Sequence, residues 1–149
     1  MTPNLANLVI GPEVVKWVTE RTGEFGDYGL SVGFGWLNSE NKLAGGVVFN
    51  EYNEASINMH CAGDGSGRWL ARPLIAVVFD YAFMQAKVKR ITSMVALSNE
   101  KAIIFNERMG FEREAVLKDA HKTGDLVIFR MFKSQCRWLD EKYSRLCNA

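Results

Sequence analysis

The chain has 149 residues, of which 48% are hydrophobic and 23% charged, and its formal net charge is +1. This balance is typical of a globular domain that buries a core, so we predict a single domain over residues 1–149. The small net charge provides no clustered basic surface for DNA or RNA, and no apolar run reaches the ~18 residues of a membrane span. We therefore expect neither nucleic acid nor a membrane as a partner.

Cysteine and histidine are too few and too scattered for a metal site. Cys61, Cys136 and Cys147 lack C-x-x-C spacing, and His60 and His121 stand far apart in the sequence. An odd number of such cysteines argues against a disulfide framework, and dedicated metal sites normally need three or four ligands. We predict a metal-free protein of the reducing cytoplasm.

The hydrophobic pattern predicts one helix and three strands in the first part of the chain. A proline in its first turn and a glycine at its end delimit the helix, and alternation of apolar with small or polar residues marks the strands. The helix runs from Pro12 to about Gly23, and the strands cover residues 28–37, 43–52 and 55–61. The first two strands form a hairpin, and in the third Met59 and Cys61 share one face, with His60 on the other.

A glycine-rich loop separates these elements from a second set. Glycines at positions 63, 65 and 67 precede an apolar helix over residues 70–87, with Pro73 in its first turn. The pattern then predicts a strand over 90–97, a helix from Ser98 or Asn99 to Gly110, strands over 111–118 and 125–133, and an amphipathic helix over 134–147. This order predicts an α/β or α+β sheet with helices packed on it.

The loop has the features of a phosphate site. A glycine-rich turn that leads into a helix presents free backbone N–H groups and the positive end of the helix dipole. The donors belong to Gly67, Arg68, Trp69, Leu70, Ala71 and Arg72. The two arginines add charge-assisted hydrogen bonds, because a planar guanidinium can bind two oxygens at once. Since such loops are often plain connections, the loop alone does not decide.

With the segments that follow it, the loop resembles the acyl-CoA-binding half of the GNAT acetyltransferases. The family motif Q/R-x-x-G-x-G/A can be laid on residues 66–71, and Asn99-x-x-Ala102 followed by Gly110-Phe111 resembles the family's N-x-x-A/S…GF signature. The apolar helix, with Asp80-Tyr81-Ala82-Phe83, resembles that of the ribosomal-protein N-terminal acetyltransferase branch. The resemblance implies acetyl-CoA as the cofactor.

The resemblance also implies a fold and a set of cofactor contacts. It implies a mixed, mostly antiparallel sheet with helices on both faces, and two splayed central strands between which the pantetheine arm inserts. The arm would contact the strand at Met59, His60 and Cys61 and the later helix at Asn99 and Phe105. Asn99 has an alternative role as a simple helix N-cap.

Two residues depart from the family pattern. Trp69 stands where the motif has a glycine, so an inward-pointing indole would block the cofactor groove, whereas an outward one would leave its N–H free to donate. Asn106 stands where many members have a tyrosine general acid. A neutral amide cannot deliver a proton, although it can hydrogen-bond the CoA sulfur as negative charge develops.

The resemblance implies that an amine attacks the thioester directly, and the amine must first lose a proton. His60 is the best-placed candidate base, with a structural strand histidine as the alternative. Glu54 and Glu51, in the turn before the same strand, would act through water unless they are merely solvated. Asp64 is a further candidate, or a loop residue that caps local N–H groups. Cys61 fits a buried strand position better than a covalent acyl-cysteine mechanism.

The sequence thus predicts an acetyl-CoA-dependent N-acetyltransferase that acts on a primary amine of a protein, a peptide or a small molecule. Its C-terminal helix would either cover the sheet or make a homodimer contact. One alternative is a noncatalytic acyl-CoA-binding or interaction protein, suggested by Trp69 and Asn106. Another is a nucleotide-binding α/β protein, which the absence of a G-x-x-x-x-G-K-[ST] motif disfavours.

Overall fold

The structure, a computed structural model, describes residues 4–22 and 28–140. These residues form seven strands and three α-helices, with a π-helical turn after the second helix and a 3₁₀ turn near the end. The elements in chain order are β1 (Leu8–Ile10), α1 (Pro12–Thr22), β2 (Ser31–Leu37), β3 (Leu43–Asn50), β4 (Ser56–Gly63), α2 (Arg72–Asp80), the π turn (Tyr81–Gln85), β5 (Arg90–Ala96), α3 (Glu100–Met109), β6 (Glu112–His121), β7 (Gly124–Phe132) and the 3₁₀ turn (Lys133–Gln135).

The strands form one sheet in the order β1-β2-β3-β4-β5-β7-β6. Every neighbouring pair is antiparallel except β4 and β5, which are parallel. The predicted hairpin is β2 and β3, and the third predicted strand is β4. The mixed, mostly antiparallel sheet is therefore confirmed.

Helices cover both faces of the sheet, as expected. On one face Val14 and Val18 of α1 are fully buried against Val48 of β3. Glycines in the strands allow this close approach, since a Cβ at Gly46 would lie 2.8 Å from Val14 Cγ1. On the other face α2 and α3 enclose the larger core, which contains Phe49, Leu74, Ile91, Ile103 and Phe129.

The parallel pair separates after a short ladder. Ser56, Ile57 and Asn58 of β4 pair with Arg90, Ile91 and Thr92 of β5. Beyond this point β4 continues to Gly63 and β5 to Ala96 without pairing to each other, although each remains paired to its outer neighbour. The result is the splayed strand pair that the sequence resemblance implied.

Strand β1 and the helix predicted over residues 70–87 differ from the prediction. Strand β1 was not predicted, because three residues carry too little periodicity to identify it. The helix predicted over 70–87 is α-helical only to Asp80 and continues as a π turn, in which the Ala86 N–H donates to Tyr81 O. It ends where Lys87 takes a φ of 56°. None of the described helices has the length and hydrophobicity to cross a bilayer.

The amphipathic helix predicted over 134–147 is wrong in the part that the structure describes. After the 3₁₀ turn, residues 136–140 form no helix, and residues 141–149 lie outside the described ranges. The segment instead packs against the end of α3, where Trp138 Nε1 donates to Met109 O over 2.8 Å and Arg137 donates to Arg108 O. These tertiary hydrogen bonds replace the backbone bonds that a helix would have supplied.

Candidate active site

The side chains of β4 divide between the two faces of the splayed pair. Met59 and Cys61 face the α2 side and pack against its core. His60 faces the α1 side, where it packs on the ring of Tyr28. A ligand threaded between β4 and β5 would thus have an apolar lining on one face and a histidine on the other.

The loop after β4 is shaped by glycine and by its own side chains. Gly65 and Gly67 have φ values of 92° and 72°, a region that favours glycine. Asp64 Oδ1 accepts hydrogen bonds from the Ser66 N–H at 2.9 Å and the Ser66 hydroxyl at 2.6 Å. These bonds hold the pKa of Asp64 below its usual value. Asp64 therefore acts as the loop cap, one of its two predicted roles, and makes a poor base.

The loop delivers an uncapped helix end to the site. Helix α2 begins at Arg72 with Ala71 at the N-cap position, no side chain caps it, and Pro73 lies in the first turn. The first-turn N–H groups of a helix without a side-chain cap carry partial positive charge and favour an anion. Of the predicted backbone donors, the N–H groups of Arg68 and Leu70 are already used within the loop, by the Ser66 hydroxyl and Gly67 O.

The two arginines of the loop lie in different surroundings. The Arg72 side chain is about half exposed, with Nη2 3.9 Å from Asp140 Oδ2 and the guanidinium 6.0 Å from the Trp138 ring. Arg68 is exposed, and its backbone N–H donates to the Ser66 hydroxyl at 3.2 Å. Both guanidinium groups remain within reach of solvent at the start of α2, where they can bind phosphate oxygens.

Trp69 points inward and is only 7% exposed. Its indole lies on Gly45 and Gly63, and its ring centroid is 6.1 Å from that of Phe105 in a stacked arrangement. This inward orientation is the one predicted to block the cofactor groove. The indole forms part of the apolar lining on the α2 side of the splay, so a cofactor arm would have to pass beside the ring. The main chain of Trp69 belongs to the glycine loop, whereas its side chain packs against the sheet.

Apolar side chains nearly fill the space beneath the splay. A cavity of about 20 Å³ remains, lined by Met59, Cys61, Trp69, Leu74, Phe105 and Met109 among others. This volume is close to the smallest that holds one water molecule. The lining offers no charged group to a ligand, so any contact made there is a packing contact.

Helix α3 brings two asparagines to the site. The Asn99 side chain caps the helix by accepting from the Ala102 N–H at 3.2 Å, which is the simpler of its two predicted roles. Asn106 is 5% exposed, and its Nδ2 donates to Ala102 O at 2.8 Å. Asn106 Oδ1 is buried without a hydrogen-bond partner among the described residues. Such an oxygen is costly unless a ligand or water satisfies it.

His60 belongs to a polar network on the α1 face. Its Nε2 lies 2.9 Å from Asn50 Oδ1, while Asn50 Nδ2 donates to Tyr28 O at 3.0 Å. Because that bond fixes the orientation of the amide, Oδ1 must accept from His60, and the neutral ring carries its proton on Nε2. Burial lowers the pKa of His60 from 6.5 to about 4. The imidazole is therefore unprotonated at neutral pH.

The other predicted groups are less suited to proton transfer. Burial raises the pKa of the Cys61 thiol to about 12, so the thiol is not a nucleophile at neutral pH. Glu51 and Glu54 are exposed and have φ values of 55° and 74°. They lie in the turn before β4, at the opposite end of that strand from the glycine loop. The structure does not bring Glu54 beside His60.

Sequence reasoning missed the partners of two site residues. Tyr28 and Asn50 surround His60 but lie in earlier elements, and no spacing links them to it. Gly45, which receives the Trp69 indole, did have a signal, because glycine inside a strand often marks the close approach of another group. No group of His, Cys, Asp and Glu suited to a metal occurs in the described ranges.

Comparison with known proteins identifies the family. The model of the acetyltransferase (GNAT) domain matches residues 34–131, which is most of the chain. The chain therefore belongs to the GNAT acetyltransferases, the N-acetyltransferase family whose members use acetyl-CoA as the acetyl donor. No curated protein matches the sequence significantly.

Solved structures share the fold at low sequence identity. The spermidine/spermine N-acetyltransferase SpeG of Vibrio cholerae, in complex with manganese ions, has a TM-score of 0.66 and 19% identity, over 87% of this chain and 94% of that chain. Its dodecameric form in an intermediate state has a TM-score of 0.67 and 18% identity, over 87% and 95%. A single-site mutant of the same enzyme has a TM-score of 0.69 and 18% identity, over 91% and 98%. The closer likeness to the ribosomal-protein branch finds no support.

Proposed function

We propose that this protein transfers the acetyl group of acetyl-CoA to a primary amine by direct attack in a ternary complex. The observation that carries the proposal is the glycine loop, which ends in an uncapped helix beside a splayed strand pair. When bound, acetyl-CoA supplies a thioester that an amine can attack. Backbone N–H groups within residues 67–72 other than those of Arg68 and Leu70, which already donate inside the loop, would hold its phosphates together with the guanidinium groups of Arg68 and Arg72.

The arm of the cofactor would lie along β4 between the splayed strands. Met59 and Cys61 would pack against it from the α2 side, and backbone groups of β4 freed by the splay would hydrogen-bond it. Phe105 would form the apolar floor. The unpartnered Asn106 Oδ1 supports a ligand in this region, because a buried amide oxygen gains from a donor.

His60 is the proposed proton acceptor, directly or through water. A base must be unprotonated before it acts, and burial keeps His60 in that state. Moving a proton from an alkylammonium with a pKa near 10.4 to a ring with a pKa of about 4 is uphill by about 9 kcal/mol. Proton transfer before attack is therefore unfavourable. His60 would instead accept the proton that the nitrogen loses as its bond to the acetyl carbon forms and the C–S bond breaks, with CoA leaving as the thiolate, and Asn50 keeps the ring in place.

The acceptor is proposed to be a primary amine of a small molecule or a protein. The structural relatives are spermidine N-acetyltransferases, so polyamines are the first compounds to test. Those relatives include a dodecamer, which makes self-association of this chain, as a homodimer or a larger assembly, a reasonable proposal. Cys61 and Cys136 are free thiols, which suits the reducing cytoplasm we propose as the location.

A noncatalytic acyl-CoA-binding protein is the second candidate. Asn106 stands where many family members have the tyrosine general acid, and an amide cannot protonate a leaving thiolate. Under this alternative the loop would still bind CoA, but no acetyl transfer would follow. Binding and turnover must therefore be measured separately.

We expect acetyl-CoA and CoA to raise the melting temperature of the protein, and amines to release free CoA thiol from acetyl-CoA. Gly67→Pro should abolish CoA binding with the fold intact, because proline cannot adopt the φ of 72° at this position and the surrounding space is open. Binding without turnover across a panel of polyamines, small amines and peptides would favour the noncatalytic alternative. Absence of any CoA binding would exclude both candidates.

A further inference from the structure

We propose that the Trp69 side chain is a positioning residue that fixes the phosphate-binding loop by docking into a cradle formed by two glycines of the sheet. The inference rests on the proposed function, since it assigns to the loop the task of holding CoA phosphates. It gives a role to a residue that departs from the family motif. In this role the indole does not contact the phosphates and acts only through the loop.

The cradle is a complementary fit between the indole and two backbone positions. Gly45 of β3 and Gly63 of β4 are directly opposite each other in the antiparallel ladder. A Cβ at Gly45 would lie 2.1 Å from Trp69 Cγ, and one at Gly63 would lie 2.1 Å from Trp69 Nε1. Any larger residue at either position would displace the ring, so the sheet accepts the indole only because both positions are glycine.

The ring also contacts the helix on the other side of the splay. Phe105 of α3 stacks on Trp69 with an interplanar angle of 29°. The indole thus joins β3, β4 and α3 at the place where the loop leaves the sheet. Aromatic side chains buried in this way contribute large contact areas and restrict the main chain that carries them.

The loop has few other means of holding its shape. Gly65 and Gly67 have no other atoms within 4 Å of their hypothetical Cβ positions, and glycine has the most conformational freedom to lose. The Asp64 N–H ties the start of the loop to β3 by donating to Ala44 O at 2.8 Å. The bonds beyond that point are local: Ser66 donates to Asp64, the Arg68 N–H to the Ser66 hydroxyl and the Leu70 N–H to Gly67 O. No side chain caps α2. Trp69 is the deeply buried side chain within this segment, so the order of the backbone donors depends on it.

This arrangement predicts a defect in cofactor binding and not in chemistry. If the backbone N–H groups of the loop become ordered only when CoA binds, part of the binding free energy is used to order them. The affinity for CoA is then lower. Once CoA is bound, the loop is ordered both in the parent protein and in a variant without the indole. The reacting groups on β4 are the same in the two proteins. Removal of the anchor should therefore raise KM for acetyl-CoA and leave kcat almost unaltered.

The first experiment measures steady-state kinetics and CoA affinity of Trp69→Ala, with Trp69→Phe as a milder variant. We expect KM for acetyl-CoA and Kd for CoA to rise about tenfold or more in Trp69→Ala, with kcat within about threefold of the parent. Trp69→Phe, which keeps an aromatic ring in the cradle, should show a smaller rise in both constants. Unchanged Kd in a folded Trp69→Ala, or a loss confined to kcat, would overturn the proposal.

The second experiment tests the cradle itself. Gly45→Ala should reproduce the binding defect, because its methyl group displaces the indole. The matched control is Gly46→Ala, whose methyl group meets Val14 on the α1 face at 2.8 Å and should lower stability without a selective loss of CoA affinity. In a Trp69→Ala background, Gly45→Ala should have little further effect on Kd, because there is no ring left to displace. Independent, additive effects would contradict the proposal.

The third experiment separates failure of this inference from failure of the proposed function. If the parent protein does not bind CoA, the proposed function fails, but the anchor can still be tested by amide hydrogen exchange. Exchange in the loop over residues 64–71 should become faster in Trp69→Ala, while exchange in β7 stays the same. Equal loop exchange in the two proteins would exclude an anchoring role.

Discussion

At the residue scale, His60 shows how burial and hydrogen bonding act on one side chain. The ring is stacked on Tyr28 with 4.2 Å between centroids, and Asn50 accepts from its Nε2. Loss of hydration disfavours the imidazolium, which is why the pKa of His60 falls to about 4. The same environment that keeps the ring available as a proton acceptor also makes its protonation costly to the fold.

We therefore expect stability to fall on acidification. The pKa of His60 is about 4 in the folded protein and near 6.5 in the unfolded chain, so the unfolded state binds more protons between these values. The free energy of unfolding should decline as the pH falls below about 6.5, by on the order of 3 kcal/mol at pH 4. Urea unfolding from pH 4 to 8 measures this decline. His60→Gln should flatten it over this range, and His121→Gln, at the end of β6, is the control that should not.

The catalytic role of His60 gives a separate expectation. If His60 receives the proton, the acid side of the kcat/KM profile should titrate near pH 4 and not near 6.5, since this profile reports the free enzyme. His60→Gln should remove that titration and lower kcat by about a hundredfold, within the range usual for a general base. An unaltered profile in His60→Gln would return this residue to a structural role.

At the element scale, strands β5, β7 and β6 carry an ion-pair network on the α1 side of the sheet, beyond the strands that α1 covers. Glu114 of β6 accepts hydrogen bonds from both terminal nitrogens of Arg90 in β5. Arg130 of β7 lies 3.2 Å from Glu112 and 3.8 Å from Glu114. The network thus spans three neighbouring strands and helps to hold β6 at the edge of the sheet.

Hydrogen bonds from Arg90 hold the pKa of Glu114 below its usual 4.5. The ionised Glu114 therefore stabilises the fold above pH 4.5. This stabilisation is lost as the pH falls through the lower pKa that Glu114 has in the folded protein. We expect Glu114→Gln to lower Tm at pH 7 and to differ less from the parent at lower pH. Glu107→Gln, which breaks the exposed pair with Arg113, is the control and should have a smaller effect. Equal Tm values for Glu114→Gln and the parent at pH 7 would show that the network is not stabilising.

At the scale of the whole molecule, we propose that the chain is one domain. Helix α1 and helix α2 cover opposite faces of the same continuous sheet, and the larger core draws side chains from β2, β3, β4, β5 and β7. Elements that share one core unfold together. Far-UV and near-UV circular dichroism should therefore report a single coincident thermal transition, with equal calorimetric and van't Hoff enthalpies. Two separated transitions would indicate independent units.

The period of the hydrophobic pattern was sufficient to predict most elements. Helix α1 begins at Pro12 and α3 ends at Gly110, because proline and glycine act through their own backbone preferences. Strand β1 is too short for such a pattern. The segment after β7 has helical periodicity, yet Trp138 finds its partner on α3 and the chain follows that contact.

The candidate site could be predicted in part, because some of its features depend only on neighbouring residues. The glycine loop, Arg72 and the face occupied by His60 follow from residue type and strand alternation, which are local properties. The direction of the Trp69 side chain was left open by the sequence, because it depends on glycines in two strands that meet only in the folded sheet. The low pKa of His60 likewise depends on burial beneath elements distant in sequence.

The sequence by itself thus determined the order of elements, the phosphate-type loop and the family resemblance, because these are encoded in neighbouring residues. Only the tertiary structure decided that Trp69 docks onto Gly45 and Gly63, that Asn50 sets the protonated nitrogen of His60, and that the Asn106 side-chain oxygen is buried with no partner among the described residues. Burial, contact and hydrogen-bond satisfaction belong to the packed chain, since they arise between residues that lie far apart in the sequence and meet only in the fold.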